Sequence, residues 1–462
     1  MRRILGLLLA LTASALITQA WADENADLDM IPTDLVKAAA PAAADPPAKG
    51  RLALENAGAL AALRGPLIVP APGRPPPRWS NRTSLDLRWH GDLAPMLAFT
   101  FSDRLDLYAR DGLAFGQGRT AANTLREAYV TWEPSPRTYL EAGRINLRNG
   151  VALGYNPTDF FRTGSAVDQA TADPSALREN RLGAVMLRSQ HIADWGSVSL
   201  AYAPKLFDPT RIGQGATAPL DPHIDRTNAT DRVLATLHAD IGPIASELLA
   251  FRENNRARIG SAVTAPIGQQ IVAYAEWSAG SEQRLAAAAV TYGIRTGTLP
   301  PGTPILPTTA TASAVSNDLA VGLSWTGESK ITLNAEYLFH QAGFSRTEWR
   351  RWYSLGHASP LLAGLMWYER AFAADRQTPV ARQQVFLRAN WPDAIARDID
   401  LTALGFVSLD DGSGLAQVSA TWSIDRHWSA SAILASSFGP PRSAYGGLRS
   451  AASATAQVLR YF

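Results

Sequence analysis

Residues 416–424 read Ala-Gln-Val-Ser-Ala-Thr-Trp-Ser-Ile, a strict alternation of apolar and polar side chains. Successive side chains of a β-strand point to opposite faces, so this period of two predicts a strand with one apolar and one polar face. The same alternation recurs from about residue 82 to residue 462, with clear examples at 85–90, 97–104, 331–340 and 384–391. The chain is therefore predicted to be an all-β protein over most of its length.

A soluble sandwich and a membrane barrel both use such strands, and the aromatic residues discriminate between them. A sandwich buries its aromatic residues in the middle of the strands, whereas a membrane barrel collects them at the strand ends. Several tryptophans fall at or near predicted strand ends, beside turns such as Glu133-Pro134 and Pro392-Asp393; they are Trp89, Trp132, Trp277, Trp325, Trp391 and Trp422. This placement favours a transmembrane antiparallel up-and-down β-barrel.

Seventeen strands are predicted between residue 82 and the carboxyl terminus, and an eighteenth is expected near 64–72, because single-chain bacterial barrels usually have an even number. We expect 16 to 18 strands in all. Long connections are predicted at 150–180, 204–229, 279–317 and 341–378, on the extracellular side. Short turns near Ser135-Pro136, Asp194-Trp195, Gly242-Pro243, Gly268 and Asp425-Arg426 are placed on the periplasmic side.

The amino-terminal region predicts export followed by a linker. Residues 1–22 combine two arginines, an apolar stretch and small residues at Ala20 and Ala22, which is the layout of a cleaved signal peptide. Residues 23–77 are rich in Ala and Pro and are predicted to form a low-complexity periplasmic extension, with a possible short helix at 50–64. The barrel is assigned to residues 78–462.

Composition excludes several classes of protein. The 462 residues contain no Cys, which excludes disulfides, thiolate metal sites and a lipidated amino-terminal Cys. Removing Arg2 and Arg3 with the signal peptide leaves 41 basic and 41 acidic residues, from the 43 and 41 of the full chain. A nucleic-acid binder would be expected to have a basic excess, so no nucleic-acid partner is predicted.

Charged residues on the polar faces are candidates for lining a pore. If Ile145 and Leu147 face lipid, the alternating residues Arg144, Asn146 and Arg148 face the lumen. This orientation is favoured because an arginine on the lipid face destabilises a barrel. The pore-lining and constriction candidates are Arg88, Arg104, Asp106, Glu127, Arg144, Asn146, Arg148, Asp159, Arg162 and Arg178. Two interpretations stay open: a charged constriction built with an inward-folded loop 150–180, or a salt-bridged wall with a solvated loop.

The carboxyl terminus resembles that of Gram-negative outer-membrane barrels. It ends Val458-Leu-Arg-Tyr461-Phe462, with a final Phe and further apolar residues at alternate positions, although Arg460 stands where an aromatic is more usual. In those proteins this strand is read by the barrel assembly machinery, so Val458, Tyr461 and Phe462 are implied to be an assembly signal. The resemblance implies a location in the cell outer membrane, in contact with its lipid.

Residues 141–150 (EAGRINLRNG) and 156–160 (NPTDF) are similar to a motif region in a large family of proteobacterial outer-membrane proteins. That family is related in architecture to porins and alginate-export channels. The similarity extends through 177–183 and to Glu336-Tyr337. It implies a barrel and leaves the solute open.

Two functions are carried forward. The first is a porin-type or export-type channel that passes a polar or charged small solute or saccharide. The second is a non-conducting structural or assembly barrel, whose loops close the lumen and whose extension docks a periplasmic partner. No catalytic motif is found around the seven histidines, and neither a cofactor nor a metal is predicted. Transport direction and oligomeric state stay open.

Overall fold

The computed structural model describes residues 50–73, 75–111, 120–167, 171–212, 221–308 and 314–462. The proposed signal peptide, with Ala20 and Ala22, lies outside these residues, as does the extension up to residue 49. Those assignments remain predictions.

The described residues form eighteen β-strands. The first nine are β1 (Gly50–Leu63), β2 (Trp79–Ala94), β3 (Leu97–Arg110), β4 (Ala121–Ser135), β5 (Thr138–Ile145), β6 (Ala184–Ala193), β7 (Gly196–Ala203), β8 (Arg232–Ile241) and β9 (Ile244–Glu253). The others are β10 (Arg256–Ile267), β11 (Ile271–Glu282), β12 (Ala314–Thr326), β13 (Thr332–His340), β14 (Gln383–Trp391), β15 (Ile399–Ser408), β16 (Gly414–Ser423), β17 (Trp428–Phe438) and β18 (Ser450–Tyr461).

Each strand pairs antiparallel with the next one along the chain, and β1 also pairs with β18, so the sheet closes on itself. The closing register sets Ala53 opposite Tyr461. Closure leaves no unpaired sheet edge, which a lipid environment requires. The predicted fold class, an up-and-down barrel of 16 to 18 strands, is confirmed.

The position of the first strand corrects the sequence prediction. The eighteenth strand is Gly50–Leu63, not 64–72, so the barrel includes residues before the predicted boundary at 78. No helix forms at 50–64. Alanine and glycine occupy both faces of β1, with Ala53 and Ala57 inward and Gly58 outward, so its alternation is weak in the sequence.

The outer face of the barrel is apolar. Large aliphatic side chains that are well exposed occur on strands all around it; examples are Leu187, Leu200, Leu248, Ile259, Leu323, Leu387 and Leu434. Exposed tryptophans mark the rim that carries the short turns; they are Trp132, Trp195, Trp325, Trp391, Trp422 and Trp428. An apolar band bordered by aromatic residues is the surface that an outer-membrane barrel presents to lipid. None of the helices in the described part of the chain is long and apolar enough to span a membrane.

The last strand reaches the short-turn rim. Val458 is exposed on the outer face, the Tyr461 amide donates to the carbonyl of His427, and the Phe462 amide donates to that of Leu52. Arg460, which departs from the family pattern, stacks on the Trp428 and Phe462 rings. Recognition of this strand by the assembly machinery remains a prediction.

Within the described residues, five helices lie in the long connections, which join the strands at the other end of the barrel; they are α1 (Pro174–Glu179), α2 (Ile224–Thr227), α3 (Leu285–Arg295), α4 (Arg346–Ala358) and α5 (Pro360–Asp375). Ser345 and Glu348 form a capping box at the start of α4. We call α3, α4 and α5 the helical cap. Their shared core contains Trp349, Trp352, Met366 and Phe372, and it also takes in Val69 and Ala444 from two other connections.

Candidate functional site

The lumen of the barrel is lined by charged side chains that are paired with one another. On β1, β2 and β3, Arg104 contacts Glu55 at 2.9 Å and Asp106 at 2.8 Å, and Arg82 contacts Glu55 at 2.7 Å. The predicted lumen candidates Arg104 and Asp106 therefore neutralise each other on the wall. Paired side chains of this kind are fixed in position and contribute little net field to the channel.

A second group on the wall joins the barrel to the long connection after β5. Arg88 contacts Glu179 at 3.0 Å and Asp86 at 3.6 Å, and the buried Arg126 contacts Asp86 at 2.5 Å. Two more predicted residues are in contact, because the backbone amide of Asn146 donates to the carboxylate of Glu127 at 3.2 Å. The side chain of Asn146 donates to the carbonyls of residues 178 and 179.

Residues 146–167 and 171–183, which we call the inward segment, cross the lumen. On β11, the fully buried Glu276 carboxylate accepts bonds from the backbone amides of Val151 and Ala152 at 2.9 and 3.0 Å, and from the Thr158 amide at 2.7 Å. The Thr158 hydroxyl adds a bond of 2.8 Å. Gly150 has φ +90°, and a Cβ there would lie 2.4 Å from the Glu276 carboxylate, so the close approach requires glycine.

A second carboxylate holds the next part of the inward segment. Glu336 on β13 accepts from the amides of Leu153 and Gly154 at 2.6 and 2.8 Å, and from the Tyr274 hydroxyl at 2.7 Å. Neither Glu276 nor Glu336 has a basic partner within salt-bridge distance among the described residues. Their charge is balanced by backbone amides, an arrangement that fixes the segment against the wall.

The centre of the inward segment is an ion-pair cluster. Asp159, which is 2% exposed, accepts two bonds from Arg181 at 2.6 and 2.9 Å, and Arg178 lies 3.3 Å away. Arg178 also donates to the carbonyls of Asn149 and Gly150. The predicted residues Asp159 and Arg178 thus hold together the two halves of the segment.

The prediction that Arg144 faces the lumen is wrong. Arg144 pairs with Ala128 and Val185 on the side of the sheet that carries the exposed Ala142, while Ile145 packs inward against Phe161. The parity of β5 is set by Glu141, which pairs with the lumenal Arg188 at 2.8 Å. The guanidinium of Arg144 is buried, and it donates hydrogen bonds to the carbonyls of residues 183, 222 and 223. These bonds satisfy its donors away from water.

Two predicted arginines remain in the inward segment. Arg148 is exposed and has no ion-pair or hydrogen-bond partner among the residues that the structure describes. Arg162 donates to the Asn156 carbonyl and to the Tyr155 hydroxyl, and its guanidinium lies over the Tyr155 ring. Of the predicted arginines, Arg148 is therefore the one whose charge is unpaired among the described residues.

A cavity of about 460 Å³ lies between the inward segment and the helical cap. Tyr155 and Arg162 line one side, and Arg370, Gln377 and Tyr445 line the other. We call it the vestibule. Its lining combines hydrogen-bonding groups with apolar side chains.

Asp221, His223 and Asp225 bring their possible metal-ligating atoms within 4.8 Å of one another near α2. The guanidinium of Arg144 lies close to the carboxylates of Asp221 and Asp225. Its positive charge opposes the binding of a divalent cation by this group.

Sequence reasoning missed the anchoring residues Glu276, Glu336 and Arg181. Both glutamates alternate with outward apolar side chains, Glu276 in the middle of β11 and Glu336 in the middle of β13. A lumenal acid with no predicted basic neighbour is the signal that could have found them, because such a carboxylate must find other donors. Arg181 lies in the stretch 177–183 that carried the family resemblance.

Glu369 in α5 predicts a pH dependence of the helical cap. Its carboxyl is fully buried in the cap core, and neither oxygen accepts a hydrogen bond of normal geometry. Burial raises the pKa of Glu369 well above its ordinary value of 4.5, which the Trp352 indole offsets only in part. The folded cap therefore favours the neutral form of Glu369. The free energy of unfolding of the cap falls as the pH rises above 4.5, by up to ~1.4 kcal/mol per pH unit.

The substitution Glu369→Gln removes this titration, so we expect it to slow proteolysis within 341–382 at alkaline pH and to leave the rate unchanged at acidic pH. Glu328→Gln, at an exposed turn on the opposite rim, is the control. Equal rates for wild type and Glu369→Gln at every pH would contradict the assignment.

Comparison with known proteins gives structural likeness alone. No protein-family model matches the chain, and no curated protein matches it. Among solved structures, a Rhodopseudomonas blastica porin mutant is 12% identical with a TM-score of 0.40, over 89% of this chain and 99% of that one. Pseudomonas aeruginosa OccK11 (OpdR) is 10% identical with a TM-score of 0.48, over 89% of this chain and 95% of that one.

Proposed function

We propose that the protein is a passive outer-membrane channel for small polar solutes, including charged molecules and saccharides. The observation that carries the proposal is a lipid-facing barrel whose interior is charged and is narrowed by a segment held at defined points. A polar, water-compatible interior is what solute passage requires.

The inward segment and the vestibule would set the size of the solute. The segment is fixed to opposite walls, by Arg88 of β2 on one side and by Glu276 and Glu336 on the other. Solutes would enter from the long-loop rim through the vestibule and then pass beside the segment. The channel would therefore discriminate by size and hydrogen bonding more than by net charge, because most lumenal charges are paired.

Charge selectivity is expected to depend on Arg148. We predict that Arg148→Glu shifts the reversal potential of a salt gradient toward cation preference, because it reverses the unpaired charge on the inward segment. Arg144→Ala is the matched control, since that side chain lies outside the lumen, and it should leave selectivity unchanged. The same reversal potential for Arg148→Glu and wild type would show that Arg148 does not face the path.

One observation favours the second candidate, a non-conducting barrel. The inward segment touches walls on several sides, and the helical cap covers part of the long-loop rim with its own core. If both elements are fixed, the lumen is closed. The barrel would then serve as a scaffold, and the region before Gly50 is where a periplasmic partner would dock.

Conductance of the purified folded protein in planar bilayers separates the two candidates. A channel is expected to give discrete current steps, and proteoliposomes should swell in small sugars and resist large ones. Folded protein that gives neither current nor swelling would overturn the channel proposal and favour the closed scaffold.

A further inference from the structure

The outer face of β1–β4 carries polar side chains where the rest of the belt presents lipid-facing hydrocarbon. Their outward direction follows from the register: Asn56 pairs with Thr83 and Val458, Asn81 pairs with Gly58, and Asp103 pairs with the exposed Leu87. We call Asn56, Asn81, Thr83, Asp103 and Asn123 the outer polar patch.

The patch lies within the apolar belt. Asn81 and Thr83 stand between Trp79 at one rim and Trp89 near the other, and Asp103 is halfway along β3. The Asn56 amide donates to Asn81 at 3.1 Å and to Thr83 at 2.8 Å, and Asn123 donates to Asp103 at 3.1 Å. These bonds satisfy part of the patch and leave acceptor positions on the carboxylate of Asp103.

A carboxylate and three amides facing hydrocarbon are unfavourable, because lipid offers no hydrogen bonds. The cost falls if another protein surface covers them. The neighbouring outward positions are small, with Gly58 on β1 and Ala452, Ala454 and Ala456 on β18, so a second backbone can approach closely.

We infer that the outer polar patch, with the flanking small residues of β1 and β18, is an interface with a second copy of this chain. Copies in one membrane share their orientation, so the symmetry axis that relates them is parallel to the membrane normal. Each residue then meets residues of the other copy at its own depth. Amides offer both donors and acceptors, so the asparagines of the two copies can pair with one another and can donate to the free acceptor positions of Asp103.

Gly58 gives a sharp test. A Cβ at this position would meet Asn81 at 3.9 Å, which is ordinary contact, so the barrel itself tolerates a side chain that points outward. Gly58→Trp is expected to block the close approach of a second copy and to leave the barrel folded. Ala235→Trp, on the exposed outer face of β8, adds the same bulk at a distant site.

The masses of the wild type and both variants are measured by native mass spectrometry in polymer nanodiscs extracted directly from the outer membrane. Folding of the barrel is checked by its heat-modifiable mobility in gel electrophoresis. We expect an integer multiple of the chain mass for wild type and Ala235→Trp, and a single chain for folded Gly58→Trp. A single wild-type chain, a wild-type mass with a different protein bound, or a folded Gly58→Trp assembly as large as wild type would overturn the inference. Asn81→Leu is a second, smaller change at the interface, expected to reduce the assembled fraction.

Discussion

Replacing Glu276 with Ala is expected to raise the single-channel conductance by roughly two- to fivefold, because it frees the inward segment from the wall. The carboxylate accepts bonds from the amides of Val151, Ala152 and Thr158 and from the Thr158 hydroxyl. A hydrogen bond to a charged group contributes about 1.5–3 kcal/mol, so losing several of them at once should loosen residues 150–158, which depend on Glu276 for these bonds.

The measurement is single-channel current in planar bilayers at fixed salt. Glu276→Gln retains one acceptor oxygen and should give an intermediate conductance. Thr402→Ala, which removes a polar lumenal group on β15 that bonds Asn390, is the control and should behave as wild type. A conductance of Glu276→Ala equal to that of wild type would mean that the segment does not restrict the path.

Replacing Asp159 with Asn is expected to give the largest loss of stability in the site. Arg181 is 1% exposed, and it would be left without its charge partner in the middle of the inward segment. Removing one partner of a buried ion pair lowers the free energy of unfolding by roughly 3–5 kcal/mol, because the other charge stays buried without a partner. The segment should become sensitive to protease, and the melting temperature of the folded protein should fall.

The double variant Asp159→Leu with Arg181→Leu distinguishes a lost ion pair from simple disruption. Removing both charges eliminates the unpaired guanidinium, so the double variant should be more stable than Asp159→Asn. If the double variant is as unstable as the sum of its single changes, the two residues are not coupled, and the cluster does not hold the segment.

The alternation of side chains predicted most of the barrel because the period of two is imposed by strand geometry wherever one face meets lipid. Seventeen strands lie from residue 79 onward in the structure, and one of them, Gly414–Ser423, contains nearly all of the alternating stretch 416–424. The first strand escaped because Ala53, Ala57 and Gly58 give neither face a clear character. Pairing with β2 and β18, which are distant in sequence, determines its structure.

The candidate site was less predictable, because the alternation of side chains no longer applies where β5 ends at Ile145. Arg144 was assigned by its apolar neighbours, but β5 ends directly after it, and Ile145 packs against the inward segment instead of lipid. Glu276 and Glu336 were missed because their partners are backbone amides, so the sequence shows only two lumenal acids without basic neighbours and does not identify the residues that they bind. The pairing of Arg104 with Asp106 was not predicted, because it depends on the side-chain geometry of a single strand.

The pairing of β1 with β18 has a consequence for folding. The first described strand can complete its hydrogen bonds only when the last residues of the chain arrive, since Ala53 lies opposite Tyr461. Contacts between such distant residues are slow to form, because the entropy of closing a loop of nearly the whole chain must be lost first. Until then both end strands expose unpaired backbone, and any truncated chain keeps two open edges that invite aggregation. The chain must therefore stay unfolded and protected from aggregation until all of its strands are available. Insertion of the barrel is then expected to be nearly all-or-none.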